Sequence, residues 1–219
     1  GLDLKARSVD LVKVPRNFSW VTLDRPSTQP HLLPYLLAGS AYPGSQLQMS
    51  ALRSVGIQRI ITVHETALPP ALCPTVDMAS KAAAFDIANH KGVDGLGIIA
   101  YHFFVVDRCP PVIDQLQKMC DIIDAAFQNG EGVLVHCQGG VGRTNTVIIA
   151  YLMWSQGLSA SDATAQVTEQ RKIILSHSQK VCLQRWWEVC ITARSNALTT
   201  GAAAAEPMSA AVVASIVPV

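Results

Sequence analysis

A chain of 219 residues, 49% hydrophobic and 15% charged, is long enough for one domain with a sizeable core, and its composition excludes a disordered polymer. A formal net charge of +1 leaves no bulk electrostatic footprint for nucleic acid or an anionic membrane. The six cysteines (73, 109, 120, 137, 182 and 190) include no Cys-x-x-Cys pair and no metal-ligand spacing, so no metal centre is expected.

In chain order, residues 1–14 are a mixed lead-in, and no signal-peptide pattern opens the sequence as given. Phe18 to Leu23 reads as a first strand or a packed turn, and Pro34 to Ser40 as a short strand. Gln46 to Val55 is a helix with Leu47, Ala51, Leu52 and Val55 on one face, stopped by Gly56. Arg59 to Val63 is the β-branched apolar run of a parallel strand buried on both faces. His64, Glu65 and Thr66 follow at its C-terminal end, the edge where open α/β sheets carry their sites. They read equally as substrate contacts or as a solvated loop.

Residues 67–97 hold a proline-rich loop, an alanine-rich helix from Met78 to His90, and three glycines. Ile98 to Val106 is an apolar strand that delivers Asp107 to the sheet edge. Pro110-Pro111 opens a helix to Gln128, with Ile113, Leu116, Cys120, Ile123 and Phe127 at core spacing and Asp114, Asp121 and Asp124 in solvent. Beyond residue 157, Ser159 caps a helix to about Arg171, and a last helix spans about Ser178 to Thr192. That helix buries Val181, Trp186 and Val189 or Cys190; Cys182 and Cys190 share its core stripe. Residues 193–219 form an Ala-rich tail, expected to be disordered. Its apolar run from Met208 to Val219 is shorter than the ~20 residues a membrane span needs.

The chain is organised around Gly132 to Val135, His136-Cys137, the loop Gln138-Gly139-Gly140-Val141-Gly142, and a helix opening on Arg143-Thr144. A buried strand, a glycine-rich loop and a helix N-terminus in succession turn backbone N–H groups toward one point, where the macrodipole adds partial positive charge. Glycines leave room for an oxyanion there. The loop is suited to a phosphate-like dianion, yet it lacks the Gly-Lys-Ser/Thr and Gly-x-Gly-x-x-Gly patterns of nucleotide cradles. Cys137 stands at its mouth. A helix N-terminus and a nearby guanidinium favour the thiolate, which is the nucleophilic form. Arg143 offers a planar fork for two phosphoryl oxygens. Thr144 can donate to the cysteine sulfur when that sulfur leaves, and His136 orders the loop through its ring N–H.

His136-Cys137-x-x-Gly140-x-x-Arg143-Thr144 resembles the signature of the cysteine-based protein phosphatases. Asn17-Phe18-Ser19-Trp20, Leu37-Ala38-Gly39 and Asp107-x-Cys109-Pro110-Pro111 are similar to the small, atypical dual-specificity members, and the likeness runs from about Pro15 to about Cys190. The resemblance implies a catalytic domain over 15–192. In it Cys137 is the nucleophile, Asp107, thirty positions upstream, the general acid, and Arg143 with the amides of 138–142 the phosphoryl site. It implies no cofactor and no metal, a phosphorylated protein as substrate, and hydrolysis through a cysteinyl phosphate. Relatives mostly carry glycine after the Arg-Thr pair; Asn145 here either shifts the helix start or adds a hydrogen bond. Arg171 either backs the loop or makes a surface pair.

The fold expected is a three-layer α/β domain, a mostly parallel sheet of four or five strands with helices on both faces. A lipid or inositol-phosphate substrate is disfavoured because residues 138–142 carry no charge, and an RNA 5'-triphosphate because no basic stripe is present. A phospho-binding module without catalysis would have lost the nucleophile, the arginine or the acid, and all three are here. A thiolate enzyme with scattered cysteines belongs in a reducing compartment, the cytoplasm or also the nucleus.

Overall fold

The computed structural model describes residues 13–23, 36–73, 75–78 and 97–199. Its sheet is ordered around the strand that precedes the cysteine. That strand, β6 (Gly132–His136), is buried along its whole length. It pairs in parallel with β2 (Leu37–Ser40) on one side and β3 (Ile57–His64) on the other. Beyond β3 lie β5 (Ile99–Phe104) and the three-residue β4 (Thr75–Asp77), both parallel. Beyond β2, β1 (Ser19–Val21) pairs antiparallel. Five parallel strands make up the expected sheet body, and β1 adds a sixth at one edge.

Side-chain alternation along each strand divides the core in two. Ala38, Ile60, Ala100 and Leu134 point to one face, where α1 (Gln46–Ser54) packs with Met49 and Leu52, followed by its C-cap Val55. Leu37, Ile61, Val63, Tyr101, Val133 and Val135 point to the other. That face is covered by α2 (Ile113–Gln128), α3 (Arg143–Gln156), α4 (Ala160–Gln170) and α5 (His177–Thr199). Helix α3 is buried at every residue from Arg143 to Trp154 because sheet, α2, α4 and α5 enclose it. Such a helix has no solvent face, which is why its sequence is apolar all round from Val147 to Trp154, beyond the polar first turn that serves the loop.

Several local expectations are corrected. Leu47 is 59% exposed, and Met49 takes its place in the core. Helix α2 starts at Ile113, not at the prolines: Val112 is still extended, and its N–H donates to Gln115 Oε1 at 3.1 Å. Asp124 is not a solvated surface acid, for it accepts from Tyr151 Oη at 2.7 Å and from Trp154 Nε1 at 3.3 Å. Asp121 accepts from Gln117 and is half-buried. Val181 is half-buried, whereas Cys182, Trp186 and Cys190 are core. Helix α5 runs to Thr199, seven residues into the stretch assigned to a tail. Strand β4 was not foreseen, and the alanine-rich helix lies outside the described residues apart from Met78. Among the described residues, no helix is long and apolar enough to cross a membrane.

Parallel pairing brings the C-terminal ends of the strands to one edge. Ser40 and Thr62 are both in register with His136, and His64 with Phe104. Cys137, Glu65 and Asp107 all follow strand ends at that edge.

Candidate active site

Cys137 leaves β6 into the loop 138–142, and its side chain is 3% exposed. The Gly140 N–H donates to Cys137 Sγ at 3.3 Å. Gly140 has φ +73°, and a Cβ there would meet the Ser40–Ala41 backbone at about 2.5 Å, so glycine is required by both conformation and space.

The loop carbonyls are held outward one after another. Gln138 O accepts from the Tyr42 N–H at 3.3 Å and Gly139 O from Asn17 Nδ2 at 2.8 Å. Gly140 O accepts from Arg171 Nη2 at 2.8 Å. Val141 O accepts from the Ile174 N–H at 2.9 Å and from Asn145 Nδ2 at 2.8 Å, and Gly142 O from the Thr146 N–H at 2.9 Å. In a trans peptide plane the next N–H points opposite to the carbonyl. Anchoring these five carbonyls outside therefore turns the N–H groups of 139–143 inward, at the start of α3, as an anion cradle needs.

Arg171 backs the loop; it is not a surface pair. It is buried, also reaches Ser19 Oγ (3.2 Å) and Asn17 O (3.4 Å), and fills the space where a Gly39 Cβ would stand, 1.9 Å from Nη1. Burial lowers its pKa to about 10, which still leaves it charged near neutrality. Asn145 adds hydrogen bonds: fully buried, it ties Val141 O to Lys172 O (2.9 Å). Asn145→Ala should leave the Lys172 carbonyl without this donor and cost roughly 1–3 kcal/mol. Urea unfolding of variant and parent checks this; an unchanged midpoint refutes it.

Arg143, 2% exposed, points its guanidinium at the two carboxylates of the sheet edge. Nη1 donates to Glu65 Oε2 and to Val105 O, each at 2.7 Å, and Nη2 to Asp107 Oδ1 at 3.0 Å. The Asp107 side chain is 67% exposed, facing the open side of the site. Its loop is docked on the start of α5, where Ser176 Oγ donates to Arg108 O at 2.6 Å and Gln179 Nε2 to Cys109 O at 3.3 Å. Partial burial opposes ionisation of Glu65, but hydrogen bonds from Arg143 and from backbone N–H groups outweigh it and hold the carboxyl at about 2. Glu65 is thus a permanent carboxylate at neutral pH and a poor proton donor.

His136 is entirely buried, with Nε2 2.9 Å from Thr62 Oγ1 and its ring edge-on to Tyr42. Burial pushes its pKa down to about 3, so the ring is neutral and pins β6 to β3 at the cysteine. Thr144 is fully buried in the first turn of α3, and its hydroxyl makes no hydrogen bond; the expected contact with Cys137 Sγ is not formed here. The other expected site residues (Cys137, the loop 138–142, Arg143 and Asp107) come together at one edge. Sequence reading missed the joint engagement of Arg143 by Glu65 and Val105. The position of Glu65 at the end of an apolar strand was the available signal.

A buried cysteine at the mouth of an inward-facing amide loop, on a parallel sheet with an arginine and an acid beside it, defines a cysteine-based phosphatase domain. Residues 46–187 match the model of the dual specificity phosphatase catalytic domain, and the chain belongs to that family. It is 30% identical over 145 residues to human Dual specificity protein phosphatase 2, covering 65% of this chain and 38% of that protein. Kinase associated phosphatase, solved with its catalytic site cysteine substituted by serine, superposes with TM-score 0.58 at 20% identity, covering 82% of this chain and 98% of that one. PTPMT1 in complex with PI(5)P superposes with TM-score 0.55 at 17% identity, covering 71% and 92%. At these identities the two structures share the fold. The matched part spans between about a third and a half of the first curated relatives.

Proposed function

We propose that this chain hydrolyses phosphate monoesters on proteins, phosphotyrosine and also phosphoserine or phosphothreonine, through a cysteinyl phosphate. The Cys137 thiolate attacks phosphorus, forming the S–P bond as the ester P–O bond breaks. Asp107 gives its proton to the departing oxygen. Water then attacks phosphorus, Asp107 takes a proton from it, and the S–P bond breaks to release phosphate and thiolate. Arg143 and the loop amides hold the equatorial oxygens throughout, so preorganised charge lowers both barriers. Thr144 eases departure of the thiolate once its hydroxyl turns to the sulfur.

The observation that carries this reading is the outward anchoring of the loop carbonyls around Cys137, with Arg143 3.0 Å from Asp107. The six free cysteines, five of them buried, support a cytoplasmic home for it. A phosphoinositide substrate is the second reading, favoured by the fold shared with PTPMT1 bound to PI(5)P and opposed by the uncharged loop 138–142.

Phosphate release from matched phosphotyrosine and phosphothreonine peptides, set beside a short-chain phosphoinositide, tests the proposal. Both peptides should turn over, phosphotyrosine at least as fast. Faster release from the phosphoinositide than from either peptide overturns the protein-substrate reading.

A further inference from the structure

On the footing of that phosphatase chemistry, we propose that Glu65 is a positioning residue that couples the acid loop to the phosphate-binding arginine. It follows the last residue of β3, so the sheet itself sets its place. One carboxylate oxygen, Oε2, accepts from Arg143 Nη1, and the other, Oε1, accepts from the backbone N–H of Asp107. A single side chain therefore bridges both functional groups.

The consequence for Arg143 follows from its donor count. A guanidinium has five N–H bonds. Both on Nη1 are committed, to Glu65 and Val105 O, and one on Nη2 goes to Asp107. Two remain, the Nε–H and one on Nη2, which together form a fork for two phosphoryl oxygens. Anchoring Nη1 at two acceptors fixes the plane of that fork. Without Glu65 the plane would rest on Val105 O and on the carboxyl of Asp107, which is itself mostly exposed.

The consequence for Asp107 concerns its backbone. Its carboxyl is mostly exposed, so main-chain anchors decide where it stands. Downstream, Ser176, Ser178 and Gln179 hold Arg108 O and Cys109 O. Upstream, Glu65 holds the Asp107 N–H itself, next to the anchors of Val105 on Arg143 and on His64 O. His64 Nε2, 3.5 Å from Glu65 Oε2 and 3.0 Å from Gln138 Oε1, extends the bridge to the first loop residue.

The rival role for Glu65 is competition, a fixed negative charge that weakens dianion binding. The two roles predict opposite results for the full chain carrying Glu65→Ala. Positioning predicts that kcat falls on an ester with a poor leaving group by up to about 10²-fold, the scale of a misplaced group, and much less on a nitrophenyl ester. KM for both should rise several-fold. Glu65→Gln, which keeps one accepting oxygen, should lie between parent and alanine variant. Competition predicts a lower KM, with kcat unaffected by leaving group.

A turnover-free arm uses inorganic phosphate to protect Cys137 from iodoacetate. Glu65→Ala should need about tenfold more phosphate for half protection, the worth of one hydrogen bond to a charged group. Unchanged or tighter protection, or a loss equal across leaving groups, overturns the proposal. Failure of the parent chain to hydrolyse any ester would sink the phosphatase reading instead, and the protection arm would still decide the role of Glu65. Matching circular dichroism of the two variants and the parent shows that the comparison reads geometry and not folding.

Discussion

Replacing Cys137 by serine should abolish phosphate release from every ester, a loss on the order of 10⁴–10⁶-fold, as when a covalent nucleophile is deleted. The hydroxyl keeps the geometry but is not ionised near neutrality, so attack on phosphorus stops whatever the leaving group. The parent thiol offers a second reading of the same assignment. Iodoacetate at mildly acidic pH should alkylate Cys137 before any other cysteine, and phosphate or vanadate should protect it. The structure makes that a strict test, because Cys137 is 3% exposed whereas Cys109 is the exposed cysteine. Labelling that follows exposure would select Cys109; labelling that follows ionisation and site shape selects Cys137. Burial pushes the Cys73 thiol up to about 11 and raises Cys120 and Cys182, so these stay protonated and serve as silent controls. First labelling at Cys109 would remove Cys137 from the mechanism.

Asp107→Asn should cost roughly 10²–10⁴-fold on an ester whose leaving group needs a proton, the usual scale of general acid catalysis. On a nitrophenyl ester, whose phenolate departs unaided, the loss should be far smaller. Asparagine still presents an oxygen to Arg143 Nη2, so the 3.0 Å contact can persist and the loss reads proton transfer more than disorder of the arginine. The alkaline limb of the pH–rate profile should flatten as well. A general acid works only while protonated, so activity falls as pH rises past its pKa, and that fall disappears with the acid. An equal, small loss across leaving groups would show that Asp107 is not the donor. Glu65 is a poor substitute, being held at about 2 by Arg143 and neighbouring N–H groups.

The motif to which the chemistry is assigned is contiguous, so it could be read without the fold. Cys137, the glycines and Arg143 are neighbours in sequence, and the strand–loop–helix pattern around them is set by local periodicity. Asp107 was also legible. An apolar strand delivers it to the C-terminal edge of a parallel sheet, and parallel connections bring all such ends to the same side. Helix starts and solvent faces were less secure. Pro110-Pro111 permits a helix without starting one, and Asp124 sits at a solvent position by spacing yet meets Tyr151 and Trp154 of another helix.

By itself, then, the sequence located Cys137, its loop, Arg143, Asp107 and the α/β class, all through residues close together or through strand ends. Only the tertiary structure decided what holds that machinery in shape. Asn17 reaches Gly139 across 122 positions, Arg171 reaches Gly140 across 31, and Glu65 reaches Arg143 across 78. Periodicity says which face a residue takes, and composition says whether it can be buried. Neither fixes the direction of a side-chain donor to within the 2.7–3.2 Å and limited angle a hydrogen bond requires. That direction is set by how strands and helices from distant parts of the chain settle against one another, which is why Arg171 and Glu65 could each be read two ways until the sheet brought their partners within reach.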